Sequence, residues 1–163
     1  MRSVATLVTM CLLALPLGCS RGGGEAGVTP RDFTGTWRLN REASDIPAVT
    51  QSQVLRMATD GVRIAMRETL VNDSGDTLRI AVEGKLDGTD NPVTGTSFAT
   101  GVAYRLLAPN TIEGIARKDG VVVVKETAVL ADDGQSVRVT YLSFDGEGHP
   151  VTSHAVFERV NHE

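Results

Sequence analysis

The chain has 163 residues, room for one domain with a single core and hardly for two. Its composition, 41% hydrophobic and 22% charged, is that of a folded globular protein and excludes disorder along the whole length. A formal net charge of −4, the lack of any Lys/Arg block, and a total of one Trp, two Tyr and four Phe argue against nucleic acid or an anionic lipid surface as partner. A phosphate backbone calls for a basic face, and bases call for stacking rings.

The first element is a leader. Arg2 supplies a short positive region, and Val4 to Leu17 is uncharged and mostly apolar. Crossing a hydrocarbon core of ~30 Å takes about 20 apolar residues, so this run is too short to span and fits the apolar stretch of an export signal. It ends in Leu15-Pro16-Leu17-Gly18-Cys19. Leu17, Gly18 and Cys19 resemble the lipobox of bacterial lipoproteins, in which the cysteine thiol is diacylated and the cysteine becomes the new N-terminus. Pro16 departs from the aliphatic or small residue usual there. Cys11 lies inside the leader, so Cys19 would be the sole cysteine of the mature chain, and losing Arg2 would take the formal charge from −4 to −5. Residues 1–18 are therefore read as a signal peptide. Residues 19–30 are read as an acylated cysteine with a Gly-rich tether, the flexible spacer an anchored domain needs. One acyl chain holds a protein only marginally and two hold it firmly. Ser20, rather than Asp, after the cysteine is what the resemblance associates with the periplasmic face of an outer membrane.

From residue 31 onward the pattern has period two. Val62, Ile64 and Met66 alternate with Arg63, Ala65 and Arg67; Leu78, Ile80 and Val82 alternate with Arg79, Ala81 and Glu83; Val137, Val139 and Tyr141 alternate with Arg138, Thr140 and Leu142. Such alternation places one set on a core face and the other in water. Nine strands are predicted, near 33–39, 51–59, 62–71, 77–86, 99–107, 111–118, 121–130, 136–144 and 152–160, with residues 40–47 as a helical turn or a loop. Asp60-Gly61 and Asp119-Gly120 are two-residue hairpin signals of the type I′ kind, and the stretch from Asp87 to Pro92 reads as a turn-rich loop. Sequential hairpins make a meander, and closure into a barrel removes its two exposed edges. The expected fold is all-β: an antiparallel up-and-down meander over residues 31–163, closing into a barrel of about 8–10 strands.

The opening Phe33-Thr34-Gly35-Thr36-Trp37-Arg38-Leu39-Asn40, with its Gly-x-Trp, and the closing Val156-Phe157-Glu158-Arg159-Val160 resemble the first and last strands of the lipocalin and fatty-acid-binding-protein superfamily. The body is also similar to small secreted lipocalin-like bacterial proteins marked by Asp-Gly turns and a Pro-Val-Thr-Gly segment, here Pro92 to Gly95. The resemblance implies that Trp37 plugs one end of a barrel, with Gly35 beside it and Arg159 laid on the indole. Trp37 reads equally well as a plain core residue. The Thr-Asp-Tyr loop of lipocalins is absent, as is the Arg-x-Tyr pair that holds a fatty-acid carboxylate in the intracellular relatives, so a fatty acid held in that way is not implied.

Catalysis is not expected. No activated nucleophile, His-Glu-x-x-His or phosphate loop is present, and the histidines are His149, His154 and His162. No cofactor and no metal are expected; His149 and His154 read as incidental, and the turn carboxylates Asp132, Asp133, Asp145 and Glu147 match no calcium loop. Glu68, in phase with Met66, and Tyr104, in phase with Val102 and Leu106, either point inward to fix the polar end of a ligand or sit at the mouth facing water. Gly84, Gly114 and Ala116, read as inward, suggest interior space. The function expected is that of an envelope lipoprotein whose barrel binds a small apolar or amphipathic ligand. The alternative is an interaction or inhibitor module acting through its loops, chiefly Asp87 to Ser97.

Overall fold

The computed structural model describes residues 31–47 and 50–160. The signal peptide, Cys19, the tether and His162 lie outside the described residues. Ten antiparallel strands follow one another: β1 Gly35–Asp45, β2 Thr50–Thr59, β3 Arg63–Asn72, β4 Thr77–Lys85, β5 Asp87–Thr94, β6 Gly101–Ala108, β7 Thr111–Lys118, β8 Val121–Leu130, β9 Ser136–Phe144 and β10 Pro150–Arg159. Each pairs with its chain neighbours, and β1 pairs with β10 to close the barrel. The expected meander and its closure are what is found.

The alternation works as physics requires. Ile64, Val82, Val102, Ile112, Val137 and Val139 are buried on the inner face, and their sequence neighbours, Ala103 apart, are more exposed. Eight strands leave an interior just wide enough for side chains or one small ligand, and the diameter grows with strand number. Ten strands therefore leave more room than the side chains fill.

Three local expectations are corrected. The Asp87–Pro92 loop is strand β5. Gly88, Asp90, Asn91 and Pro92 are poor strand formers, so propensity concealed it. Its pairing is correspondingly thin, with Ala81 opposite Thr94 and Val82 opposite Val93 on the β4 side. Polar side chains supply the rest: Arg117 Nη1 donates to Asp90 Oδ1 at 2.5 Å, and Asn91 Nδ2 donates to the Thr89 carbonyl at 2.9 Å. Second, residues 40–45 continue β1 through an irregularity between Asn40 and Asp45 rather than forming a helical turn. Ser44 Oγ bridges it, donating to the Asn40 carbonyl at 2.6 Å and accepting from Val156 N at 2.9 Å. Third, the two Asp-Gly pairs differ. Asp119 (φ 50°) and Gly120 (φ 84°) make the expected turn with positive φ at both positions. At Asp60-Gly61 only the glycine is positive, and the loop takes in Val62, which is exposed. There Asp60 Oδ1 accepts from Val62 N at 2.9 Å and Arg63 N at 2.7 Å, a side-chain substitute for the turn.

One end of the barrel is sealed. Phe33, Trp37 and Phe157 are fully buried, and Trp37 Nε1 donates to the Phe33 carbonyl at 3.0 Å. The Arg159 guanidinium carbon lies 4.2 Å from the indole centroid. Its nitrogens donate to the carbonyls of Thr34 (2.6 Å), Asp32 (3.1 Å) and Gly134 (2.8 Å), tying the segment before β1 to the β8–β9 turn. A Cβ on Gly35 would stand 2.6 Å from Arg159 Nη1, so only a bare Cα lets the guanidinium settle there. At the opposite end the β5–β6 segment brings Phe98 over the opening, where more than half of it (57%) stays exposed.

Candidate functional site

The interior forms two connected chambers. The outer one, of about 180 Å³, opens past Thr96, Phe98 and Ala99 and is walled by Val82, Val102 and Val124. The inner one, of about 80 Å³, runs toward the sealed end between Leu55, Ile64, Ile112 and Val137. Five side chains line both and make a waist: Met66, Glu68, Tyr104, Glu126 and Tyr141.

The register builds this waist. Tyr104 on β6 is opposite Gly114 on β7, Gly114 is opposite Glu126 on β8, and Glu126 is opposite Tyr141 on β9. Three large polar residues thus stand in one row around a glycine. Glu68 comes from β3, five strands from β8 in the ten-strand ring, so the two carboxyls project from opposite walls. The missing side chain at Gly114 matters: a Cβ there would lie 2.4 Å from Glu126 Oε1 and 2.8 Å from Tyr104 Cε1. Gly114→Val is accordingly expected to push Tyr104 and Glu126 across the chamber and to cost about 1–3 kcal/mol in overpacking strain. Urea unfolding and a crystal structure of the variant would check it; unchanged stability with both side chains in place would count against this packing.

The electrostatics are those of a low-dielectric enclosure. Burial, then the charge of Glu68, pushes the Glu126 carboxyl up to about 7, partly offset by its hydrogen bond with Tyr104. Burial also raises Glu68, against a bond from Gln53 Nε2 to Glu68 Oε1 of 2.7 Å. Burial and the nearby carboxylates hold both tyrosines well above the ordinary phenol range. What surface the two glutamates retain faces the chambers. Tyr104 Oη also lies 3.7 Å from Met66 Sδ. A hydroxyl rotor has one proton and can accept as well. Met66 Sδ is the partner of the Tyr104 hydroxyl, which also stands close enough to the Glu126 carboxyl to favour that group's ionised form. The site can thus present either a negative or a neutral polar band around an apolar cavity.

Glu68 and Tyr104, singled out from the sequence, meet in the waist, and Gly114 and Ala116 lie on the inner face. Sequence reasoning missed Glu126, Tyr141 and Gln53. Glu126 is in phase with Val124 and Ala128, the same signal that picked out Glu68, but the run Val121 to Val124 hid the alternation. Tyr141, in phase with Val137 and Val139, shows its face in the sequence but not its neighbours.

Two polar groups away from the chambers have local partners. Asp145 Oδ1 accepts from Glu147 N (2.9 Å) and His149 N (2.8 Å), and those bonds hold its carboxyl below the usual range. His154 Nδ1 is 3.2 Å from Thr140 Oγ1. Among the described residues no three His, Cys, Asp or Glu side chains come together as a metal would need. Comparison with protein-family models and with curated proteins returned no match.

Proposed function

We propose that this protein is a lipocalin-like carrier of the bacterial cell envelope, anchored through acylated Cys19, which holds a small amphipathic ligand in its barrel and performs no catalysis. The observation that carries the reading is the interior itself: a chamber open at one end, apolar along its walls, with a few convergent polar groups at its waist. That is the usual make-up of a small-molecule site. Its size supports a modest ligand, since a dry cavity of about 150 Å³ accommodates benzene. The sealed end supports the lipocalin-like assignment. The Gly-rich tether supports a domain standing clear of a membrane surface. Interaction through the Asp87–Ser97 loop is disfavoured, because most of that stretch is wall strand β5.

Mass spectrometry of the protein extracted from its own membranes tests this reading. The expected species begins at Cys19, carries acyl chains, and under native conditions retains a small molecule or takes up added 2-phenylethanol. An unprocessed leader would overturn the anchor, and a barrel that neither retains nor takes up any small molecule would overturn the carrier.

A further inference from the structure

Two enclosed carboxyls and two phenols face a chamber whose lining, among the described residues, includes no lysine, arginine or histidine. The titratable groups facing one another there are Glu68 from β3, Tyr104 from β6, Glu126 from β8 and Tyr141 from β9, with the neutral amide of Gln53 from β2. A carboxylate offers about four acceptor positions. Gln53 occupies one on Glu68, and the Tyr104 ring stands beside Glu126. Unpaired carboxylates so placed are costly, and that cost is relieved by a proton or by a cation. Arg159, at the sealed end, is already committed to three carbonyls and the indole.

Resting on the carrier reading above, we propose that the waist is an ammonium-binding site, and that the ligand is a small amine with a single ring or a short apolar tail. The ammonium lies between Glu126 and Glu68 beside the two tyrosines, and the tail occupies the outer chamber. Three rival chemistries fit less well. A fatty acid or other carboxylate would meet two groups of its own sign and no basic partner. A hard divalent cation takes six or more oxygen ligands, and two carboxyls from opposite walls do not supply them. A neutral alcohol would find hydrogen-bond partners but would relieve neither carboxylate. Tyrosine rings add to the case, because their faces attract a desolvated cation. The same chemistry makes binding proton-linked: the ammonium arrives charged, and a protonated Glu126 releases its proton as the pair forms.

The test is calorimetry on three molecules of matched size, 2-phenylethylamine, 2-phenylethanol and 3-phenylpropanoate, against the mature protein at pH 6 and pH 8. The amine is expected to bind at least tenfold tighter than the alcohol at pH 8, and the propanoate to bind worst. Amine affinity should rise from pH 6 to pH 8 as Glu126 ionises, with proton release at the lower pH. Glu126→Gln and Glu68→Gln, each near in shape to the native side chain, should cut the preference for amine over alcohol tenfold or more. An alcohol that binds as well as the amine, or a preference unaltered in both variants, overturns the ammonium site while leaving the carrier standing. Failure of all three molecules to bind overturns both.

Discussion

Replacing Trp37 with alanine is expected to remove about 3–5 kcal/mol of stability, the usual cost of deleting a large buried aromatic. Trp37 is the largest fully buried side chain and holds the sealed end from both sides. Its indole nitrogen anchors the Phe33 carbonyl, and its ring carries the Arg159 guanidinium. Alanine would leave a cavity under that cation and free Arg159 from one of its partners. Domains of this size have a total stability of about 5–15 kcal/mol, so the loss is a large fraction of the whole. Trp37→Phe keeps most of the volume and gives up the hydrogen bond, and should fall between wild type and alanine. Urea unfolding followed by circular dichroism provides the measurement, since Trp37 is the chain's only tryptophan and fluorescence would vanish with it. A loss below about 1 kcal/mol for Trp37→Ala would contradict the sealed-end account, given what core truncations cost.

The second large effect is a stability that falls as pH rises. Glu126 titrates at about 7 in the folded barrel against 4.5 as its ordinary value. Between those two pH values the folded state therefore holds a proton that the unfolded chain has lost. Unfolding free energy declines wherever the folded state binds more protons. The stability contributed by the protonated carboxyl is fully present below pH 4.5, is lost through pH 7 and stays lost above it. At 1.36 kcal/mol per pKa unit, the decline is on the order of 3 kcal/mol. Glu68, raised in the same direction by burial, adds to it. Most proteins gain stability over this range because their carboxylates are paired. Here Asp60, Asp87 and Asp145, lowered by turn hydrogen bonds, act in that ordinary sense at lower pH. Unfolding curves at pH 5 and pH 8 should therefore show wild type weaker at pH 8 and Glu126→Gln with a clearly smaller decline, the remainder belonging to Glu68. A variant as pH-sensitive as wild type would place the titrating group elsewhere.

The fold was largely legible because period-two alternation in a closed antiparallel sheet is a property of each strand alone. Ile64, Val82 and Val139 announce their faces without reference to any neighbour. Strand β5 was not legible, because its residues are held by partners distant in sequence. Arg117 secures Asp90 from two strands away, and no local pattern carries that information. Glu68 and Tyr104 could be proposed singly from phase. Their meeting with Glu126 and Tyr141 depends on the register that aligns Tyr104, Gly114 and Glu126 across three strands, and register emerges only from the assembled sheet. The hollow interior had the same origin, since whether a barrel is filled depends on strand number as well as on side-chain size, and the missed strand is one of the ten.

Methyl-resolved NMR of the labelled protein titrated with 2-phenylethanol reads out whether the barrel encloses a usable chamber. Shifts are expected to concentrate at Val82, Val93, Val102, Ala116 and Val124, which line the outer chamber, with the outward-facing Val62, Leu107 and Val129 unmoved. Shifts confined to those outward methyls, or none at any inward one at saturating ligand, would contradict such a chamber.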